Sequence, residues 1–325
     1  MGESRDMKGA PQGRMSERSG IIAGFCCYLL WGIMPLYWKL LDDTSPWEVI
    51  AQRVIWCFVF TAIVCKIAGW HFIPLFRDSR ARRFLIPASI LITINWSLYI
   101  FAVSIDRIVE TALGYYINPI ITILLGLIVF REKLPLLQWI AVGLCCFGIG
   151  FFTLNYGSVP WISILLALSF GVYGAVKKRG GYPAAEAIAV ESAYMVPVAL
   201  AVSAGLALTG QGAFLADTAS AEGWITTLLL IGGGLCTMVP LVLFAKAANS
   251  IPLTLLGFLQ YLSPTCGLII GVFVNGEPFT LAHGVCFGCI WCGLALVGIG
   301  AIIDGRTNGE RAISAKAGGR HPEDV

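Results

Sequence analysis

The chain has 325 residues, 57% of them hydrophobic and 13% charged, with a net charge of +3. A soluble domain carries roughly a quarter charged residues, so this composition excludes an ordinary soluble fold. Together with apolar runs of about twenty residues it defines an all-α polytopic membrane protein. The runs are continuous rather than alternating, which argues against a β-barrel. The small positive balance gives no ground for a nucleic-acid partner, because its placement across the bilayer accounts for it.

Residues 1–19 are polar, include Arg5, Lys8, Arg14 and Arg18, and lack apolar periodicity; they read as a disordered cytoplasmic tail. The run that follows is about twenty residues long, has no small-residue cleavage site and precedes many more spans, so it reads as a span and not a cleaved leader. Ten spans are predicted, at about 21–41, 46–69, 84–103, 109–130, 137–155, 160–178, 184–207, 223–246, 253–274 and 281–303. Their connections are mostly short, as between antiparallel neighbours. The longest, about Thr209 to Glu222, is rich in Gly and Ala and holds no basic residue. Residues 304–325 read as a second polar tail.

Lys and Arg set the orientation. With a cytoplasmic N-terminus, nineteen of the twenty-two fall on inner segments, Lys39 and Arg107 lie outside, and Arg53 falls within the second span. This asymmetry fits ten spans with both termini cytoplasmic.

A long-range repeat organises the chain. Thr111 to Glu132, TALGYYINPIITILLGLIVFRE, returns as Thr254 to Glu277, TLLGFLQYLSPTCGLIIGVFVNGE. Thr111 and Gly114 match Thr254 and Gly257, while Pro119 and Glu132 match Pro264 and Glu277. Trp31-Gly32 with Lys39 matches Phe170-Gly171 with Lys178, and Phe101-Ala102 matches Phe244-Ala245. Five spans per half is an odd number, so the halves insert with opposite orientation. The expected architecture is a 5+5 inverted repeat, residues 20–155 and 156–303, of the kind that gives transporters two access states around one midplane site.

These residues resemble a known family. The inverted repeat, Trp31-Gly32, the run Leu113-Gly114-Tyr115-Tyr116-Ile117-Asn118-Pro119 and the run Gly257-Phe258-Leu259-Gln260-Tyr261 are similar to the drug/metabolite transporter superfamily. Within it they resemble the EamA-type proteins of the RarD branch, over about Gly20 to Ile303. The resemblance implies a permease of the bacterial inner membrane for a small organic metabolite or drug; the branch name is associated with chloramphenicol sensitivity. One departure is Gln52, before Arg53, where the family pattern has a basic His-Arg pair.

Charged residues inside spans are costly and are candidate functional groups. Arg53 and Glu191 read either as substrate or coupling contacts, or as a structural ion pair or snorkelling side chains. Glu110 and Glu48 begin spans, and for Glu48 the simpler reading is helix capping. Asn118-Pro119 and Ser263-Pro264 are expected to interrupt helices four and nine, freeing carbonyls toward a polar cavity or merely kinking the helix. Tyr115, Tyr116, Asn118, Gln260, Tyr261, Asn95 and Trp96 form a mixed lining for a substrate with apolar surface and a few polar groups; singly, each also reads as packing or an interfacial anchor. Glu132, Glu277, Lys39 and Lys178 read as gate or helix-end ties.

Cys286, Cys289 and Cys292 lie near His283 at three-residue spacing, but structural zinc needs a tighter set, and apolar packing is the better reading. Gly20 and Gly24, Gly267 and Gly271, and Gly284 and Gly288 read as close helix contacts. Gly232-Gly233-Gly234 lacks the following Lys-Ser or Lys-Thr of a phosphate loop. No cofactor or metal is implied. Movement would run on exchange, protons, a counter-transported solute or facilitated diffusion. The rival readings are a membrane-embedded enzyme, which needs a convergent catalytic set, a non-transporting scaffold or regulator, and a channel, which needs a continuous lining ring.

Overall fold

A computed structural model describes residues 17–105, 108–156, 161–274 and 279–318, and these form helices joined by turns, with no strand among them. The helices are α1 (Glu17–Trp38), α2 (Pro46–Ile67), α3 (Ile73–Arg77), α4 (Ser79–Ser104), α5 (Ile108–Val129), α6 (Leu136–Tyr156), α7 (Trp161–Gly180), α8 (Ala184–Leu208), α9 (Ala221–Ser250), α10 (Leu253–Gln260), α11 (Leu262–Phe273) and α12 (Leu281–Gly318). A 3-10 turn, Lys39–Leu41, follows α1.

Nine spans among the described residues are long and apolar enough to cross a bilayer, with α10 and α11 counted as one. The tenth pass is α4. Its 26 residues reach about 39 Å, more than the roughly 30 Å hydrocarbon core. Asn95, inside this span, turns toward α7, where its Nδ2 donates to the Leu166 carbonyl (2.9 Å) and to Ser169 Oγ (3.0 Å). Its amide is thus satisfied against another helix, away from lipid.

The ninth span breaks where its chemistry requires it. Pro264 lacks an N–H, and its ring conflicts with the carbonyl four residues back, that of Gln260. There α10 ends, and α11 begins at Leu262. The first-half counterpart behaves differently: α5 runs unbroken through Pro119. The expected interruption of both helices therefore occurs only in the second half.

Packing follows the repeat. Within the larger compact unit, drawn from Met1–Glu132 and Pro160–Glu277, α1 packs on α9 as α7 packs on α4, and α2 on α9 as α8 on α4. The self-paired contacts are α2 on α8 and α5 on α10. Each helix thus packs mainly on helices of the other half. Trp31 and Phe170, equivalent residues of the repeat, meet at 5.5 Å in a T-shaped pair, which places them at the pseudo-twofold axis. Tyr28, Tyr173 and Phe244 complete this aromatic centre, the last two stacked at 5.6 Å. The smaller unit, Lys133–Val159 and Pro278–Val325, pairs α6 with α12, also equivalent spans.

Close helix approach rests on particular glycines. A Cβ at Gly257 would stand 2.7 Å from Ile123 and 2.9 Å from the Pro119 carbonyl oxygen, so α10 and α5 touch backbone to backbone. Gly20 and Gly24 likewise face α9 and α10. Gly267 and Gly288 do not act this way: a Cβ there meets nothing within 4 Å, and one at Gly284 meets only Phe279. Their spacing misled because small residues four apart also occur on open helix faces.

The polarity of the molecule is inverted relative to a soluble protein. Ile67, Leu208 and Phe273 are more than four-fifths exposed, whereas Glu48, Gln52, Lys177 and Glu191 are buried. Such apolar exterior is what lipid contact requires.

Candidate functional site

The interior charges sit on α2 and α8. These helices run antiparallel, because Gln52 Nε2 donates to Ser203 Oγ (3.0 Å) while Ser192 Oγ donates to Cys57 Sγ (3.4 Å). Proline precedes or opens each helix, Pro46 as the first residue of α2 and Pro183 as the N-cap of α8. Both positions suit a residue with no N–H to offer. The segments that follow match in sequence, Glu48–Arg53 (EVIAQR) against Glu186–Glu191 (EAIAVE). Arg53 and Glu191 are therefore equivalent residues, each seven positions along its helix and about 11 Å from its start. Since the helices are antiparallel, the two charges lie toward opposite ends of the bundle.

Around Arg53 the structure gathers α1, α4, α5 and α9. The Nε–H donates to Thr237 Oγ1 at 2.9 Å, and Thr237 in turn donates to the Gly233 carbonyl at 2.7 Å. The guanidinium carbon lies 4.4 Å from the Trp38 ring centre and 4.8 Å from that of Trp96, both within cation–π range. Tyr99 and Tyr115 are within electrostatic reach of the same charge. Their rings pair at 6.5 Å, and they are 41% and 49% exposed. Among the described residues no carboxylate pairs with Arg53, and only its Nε–H finds a protein acceptor. The guanidinium keeps its proton, so this is a fixed cation with aromatic neighbours and, among the described residues, no paired carboxylate.

Glu191 is the opposite case. Its Oε1 accepts from Lys177 Nζ at 2.7 Å and its Oε2 accepts from Tyr173 at 3.3 Å, with both charged side chains only 4% exposed. Ser89 Oγ donates to the Glu191 backbone carbonyl at 3.0 Å, tying α4 to α8. Two small cavities touch Glu191. One reaches Trp96 and has about 20 Å³ of open space; the other reaches Tyr182 and has about 10 Å³. Each holds about one water, so this end of the bundle is shut.

A third cluster fastens α10. Glu132 accepts from the Leu253 and Thr254 backbone N–H groups at 2.7 and 2.8 Å, a carboxylate set on a helix N-terminus. Lys178 Nζ stands 3.5 Å from Glu132 and donates to the Ile251 carbonyl at 2.5 Å. Glu48 plays a related part: besides opening α2, its carboxylate accepts from Ala213 (2.6 Å) and Phe214 (3.4 Å) and holds the loop after α8.

The sequence-predicted residues thus fall into separate groups. Arg53 and Tyr115 come together. Glu191 does not join them, although Cys57 lies within electrostatic reach of both charges. Gln260 accepts from Thr122 at 3.2 Å at the α5–α10 crossing. Asn118 is buried nearby on α5, its Oδ1 without a donor among the described residues, and Tyr261 is fully buried at the α10–α11 break. Lys39 opens the 3-10 turn after α1. Glu277, Arg107 and the Glu110 side chain lie outside the described residues. Gln52, the departure from the family pattern, accepts from Trp56 Nε1 at 3.1 Å and so locks its amide between α2 and α8. In the smaller unit Cys286 is buried and Cys292 exposed. Sequence reasoning missed Trp38, Tyr99, Thr237 and Lys177 as site neighbours. Aligning EVIAQR with EAIAVE would have found the equivalence of the two charges, and the offset that matches Trp31 with Phe170 and Lys39 with Lys178 links Trp38 to Lys177.

A bundle of apolar helices in two interlocked repeats, with its charges turned inward, defines a multi-pass membrane protein of transporter architecture. The EamA-like transporter family model matches residues 18–154 and again 158–299, and the chain belongs to that family, in its RarD branch. It is 41% identical to an uncharacterized transporter, YojE, of Bacillus subtilis over 285 residues, covering 86% of this chain and 93% of that one. It is 35% identical to the protein RarD of Streptomyces exfoliatus, covering 86% and 88%, and 34% identical to the protein RarD of Escherichia coli, covering 88% and 95%. A crystal structure at 16% identity shares the fold, with a TM-score of 0.67 over 87% of this chain and 98% of that one.

Proposed function

We propose that the protein is a secondary-active permease of the bacterial inner membrane, moving a small organic metabolite or drug by alternating access without ATP, with both termini cytoplasmic. The observation that carries this reading is the placement of Arg53 and Glu191 at equivalent positions of two antiparallel helices, toward opposite ends of one interior. An inverted repeat exchanges the environments of its two halves when it switches state. The halves, residues 20–155 and 156–303, rock about the aromatic centre.

In this conformation the end at Glu191 is shut by its pair with Lys177 and by the Glu132–Lys178 tie to α10. Arg53 and Tyr115 contact substrate, and Glu191 governs coupling and closure. Asn118, Gln260 and Tyr261, with Pro119 and Pro264, form the crossing that reshapes between states. Lys39 and Glu277 are the opposite gate. Protons or a counter-transported solute supply the drive.

The test is uptake into proteoliposomes, screening amino acids, metabolites and phenicol drugs with and without a pH gradient. Saturable transport abolished by Arg53→Ala or Glu191→Ala supports both the class and these residues. Transport that survives both substitutions keeps the class and removes the site. Failure of folded protein to move anything overturns the reading.

A further inference from the structure

Resting on the permease reading, we infer that the Arg53 cluster takes the carboxylate of an amphipathic organic anion whose apolar or aromatic body lies against Trp38, Trp96, Tyr99 and Tyr115.

The argument begins with charge. A permanent cation inside a membrane span is costly unless an anion or water compensates it. The equivalent position in the second half has its compensation, Glu191 with Lys177 at 2.7 Å. Around Arg53 the residue equivalent to Lys177 is Trp38, a neutral ring, and no protein carboxylate is present among the described residues. Among the described residues, the site therefore carries one positive charge with no carboxylate beside it.

Geometry then narrows the anion. Thr237 occupies Nε–H, and the two terminal nitrogens find no protein acceptor among the described residues. Their N–H groups form the flat fork that a carboxylate accepts with both oxygens. A phosphate dianion would call for a second cation. Among the described residues, the groups within electrostatic reach of Arg53 are tyrosines and cysteines, with no Lys or Arg. The half-exposed Tyr99 and Tyr115 bring hydroxyl donors and ring faces beside the charge. Such walls suit a ligand with one anionic end and an apolar body.

The test is a binding titration, independent of transport. Purified protein in phosphatidylcholine nanodiscs is titrated calorimetrically with indole-3-acetate, the isosteric indole-3-acetamide and phenylphosphonate. The carboxylate is expected to bind about tenfold tighter than the amide, the scale of one charge-assisted hydrogen bond. Arg53→Gln is expected to remove that preference while leaving amide binding in place, and Arg53→Lys to keep part of it. Equal binding of carboxylate and amide by the wild-type protein overturns the inference, and this comparison needs no variant to fold. A preference that persists in Arg53→Gln, tighter binding of phenylphosphonate, or no binding of any probe up to its solubility limit also overturns it. Loss of carboxylate binding when phosphatidylglycerol replaces phosphatidylcholine would give Arg53 to a lipid headgroup and overturn it as well. Saturable uptake of neutral compounds without anion preference sinks this inference alone, whereas carboxylate binding without transport of anything sinks the permease reading instead.

Discussion

Arg53 and Glu191 occupy one position twice: each lies seven residues along its helix, on α2 and α8, and the two carry opposite charge. Their neighbours differ in the same sense. Glu191 meets Lys177 in a buried pair, while Arg53 lies over Trp38, the residue equivalent to Lys177. The two frames are related, but among the described residues one holds a neutralised pair and the other a cation beside two part-exposed tyrosines. That asymmetry separates what stabilises the bundle from what is free to meet a ligand.

Stability should follow this division. Replacing Arg53 strands no carboxylate among the described residues; what goes is one hydrogen bond to Thr237 and two cation–π contacts. Those are worth about 1 kcal/mol each or less, and relief of a desolvated charge offsets them. Arg53→Met is expected to shift the melting temperature in detergent by no more than about 3 °C. A large drop would assign Arg53 a structural role.

The Glu191–Lys177 pair should behave in the opposite way. Removing one partner leaves a buried, uncompensated charge, at a cost of about 3 kcal/mol. Glu191→Leu and Lys177→Met are each expected to destabilise on that scale. The double variant should lose much less than their sum, because no lone charge remains. A double-mutant cycle by thermal or denaturant unfolding checks this. Additive losses would mean that the pair does not act as a unit.

Much of the architecture was legible because two signals in the sequence are redundant. Hydropathy runs mark most spans, and the repeat marks the topology, so each checks the other. Where a polar residue inside a span points was not legible: Asn95 of α4 spends its polarity on α7, a helix–helix fact that no linear window contains. The break at Tyr261 and the continuity through Pro119 show a similar limit. Both prolines free a carbonyl, and the surrounding packing decides whether the helix parts. The site was legible residue by residue but not as a set. Arg53 and Glu191 stand out as charges in spans, yet nothing local says that one faces Lys177 and the other two indoles. Those contacts join helices far apart in sequence, and only the repeat equivalence links them.

The role of Glu132 is open to a local measurement. Its carboxylate receives the first free N–H groups of α10 and the Lys178 ammonium. An eight-residue helix has little stability of its own, so its start depends on that anchor. Glu132→Ala is expected to cost about 2 kcal/mol, the scale of a lost cap with charge-assisted bonds. Hydrogen exchange should accelerate at Leu253–Gln260 well before the rest of the bundle opens. Glu132→Gln, which still accepts hydrogen bonds, should lie between the two. Uniform acceleration throughout the protein would argue that Glu132 supports the whole fold and not α10 in particular.

The crossing of α5 and α10 can be tested with two glycines, Gly257 on α10 and Gly267 on α11, which face different surroundings. At Gly257 an added Cβ meets Ile123 at 2.7 Å and the Pro119 carbonyl at 2.9 Å, and a backbone oxygen cannot swing aside as a side chain does. Gly257→Ala must push the helices apart at the point where Thr122 reaches Gln260, at a cost of about 1–3 kcal/mol. At Gly267 a Cβ meets nothing within 4 Å, so Gly267→Ala should fall within about 0.5 kcal/mol of the parent or slightly above it, since alanine favours the helix. Paired unfolding measurements in one detergent decide the matter. Equal effects at both positions would show that α5 and α10 do not meet as closely as Gly257 implies.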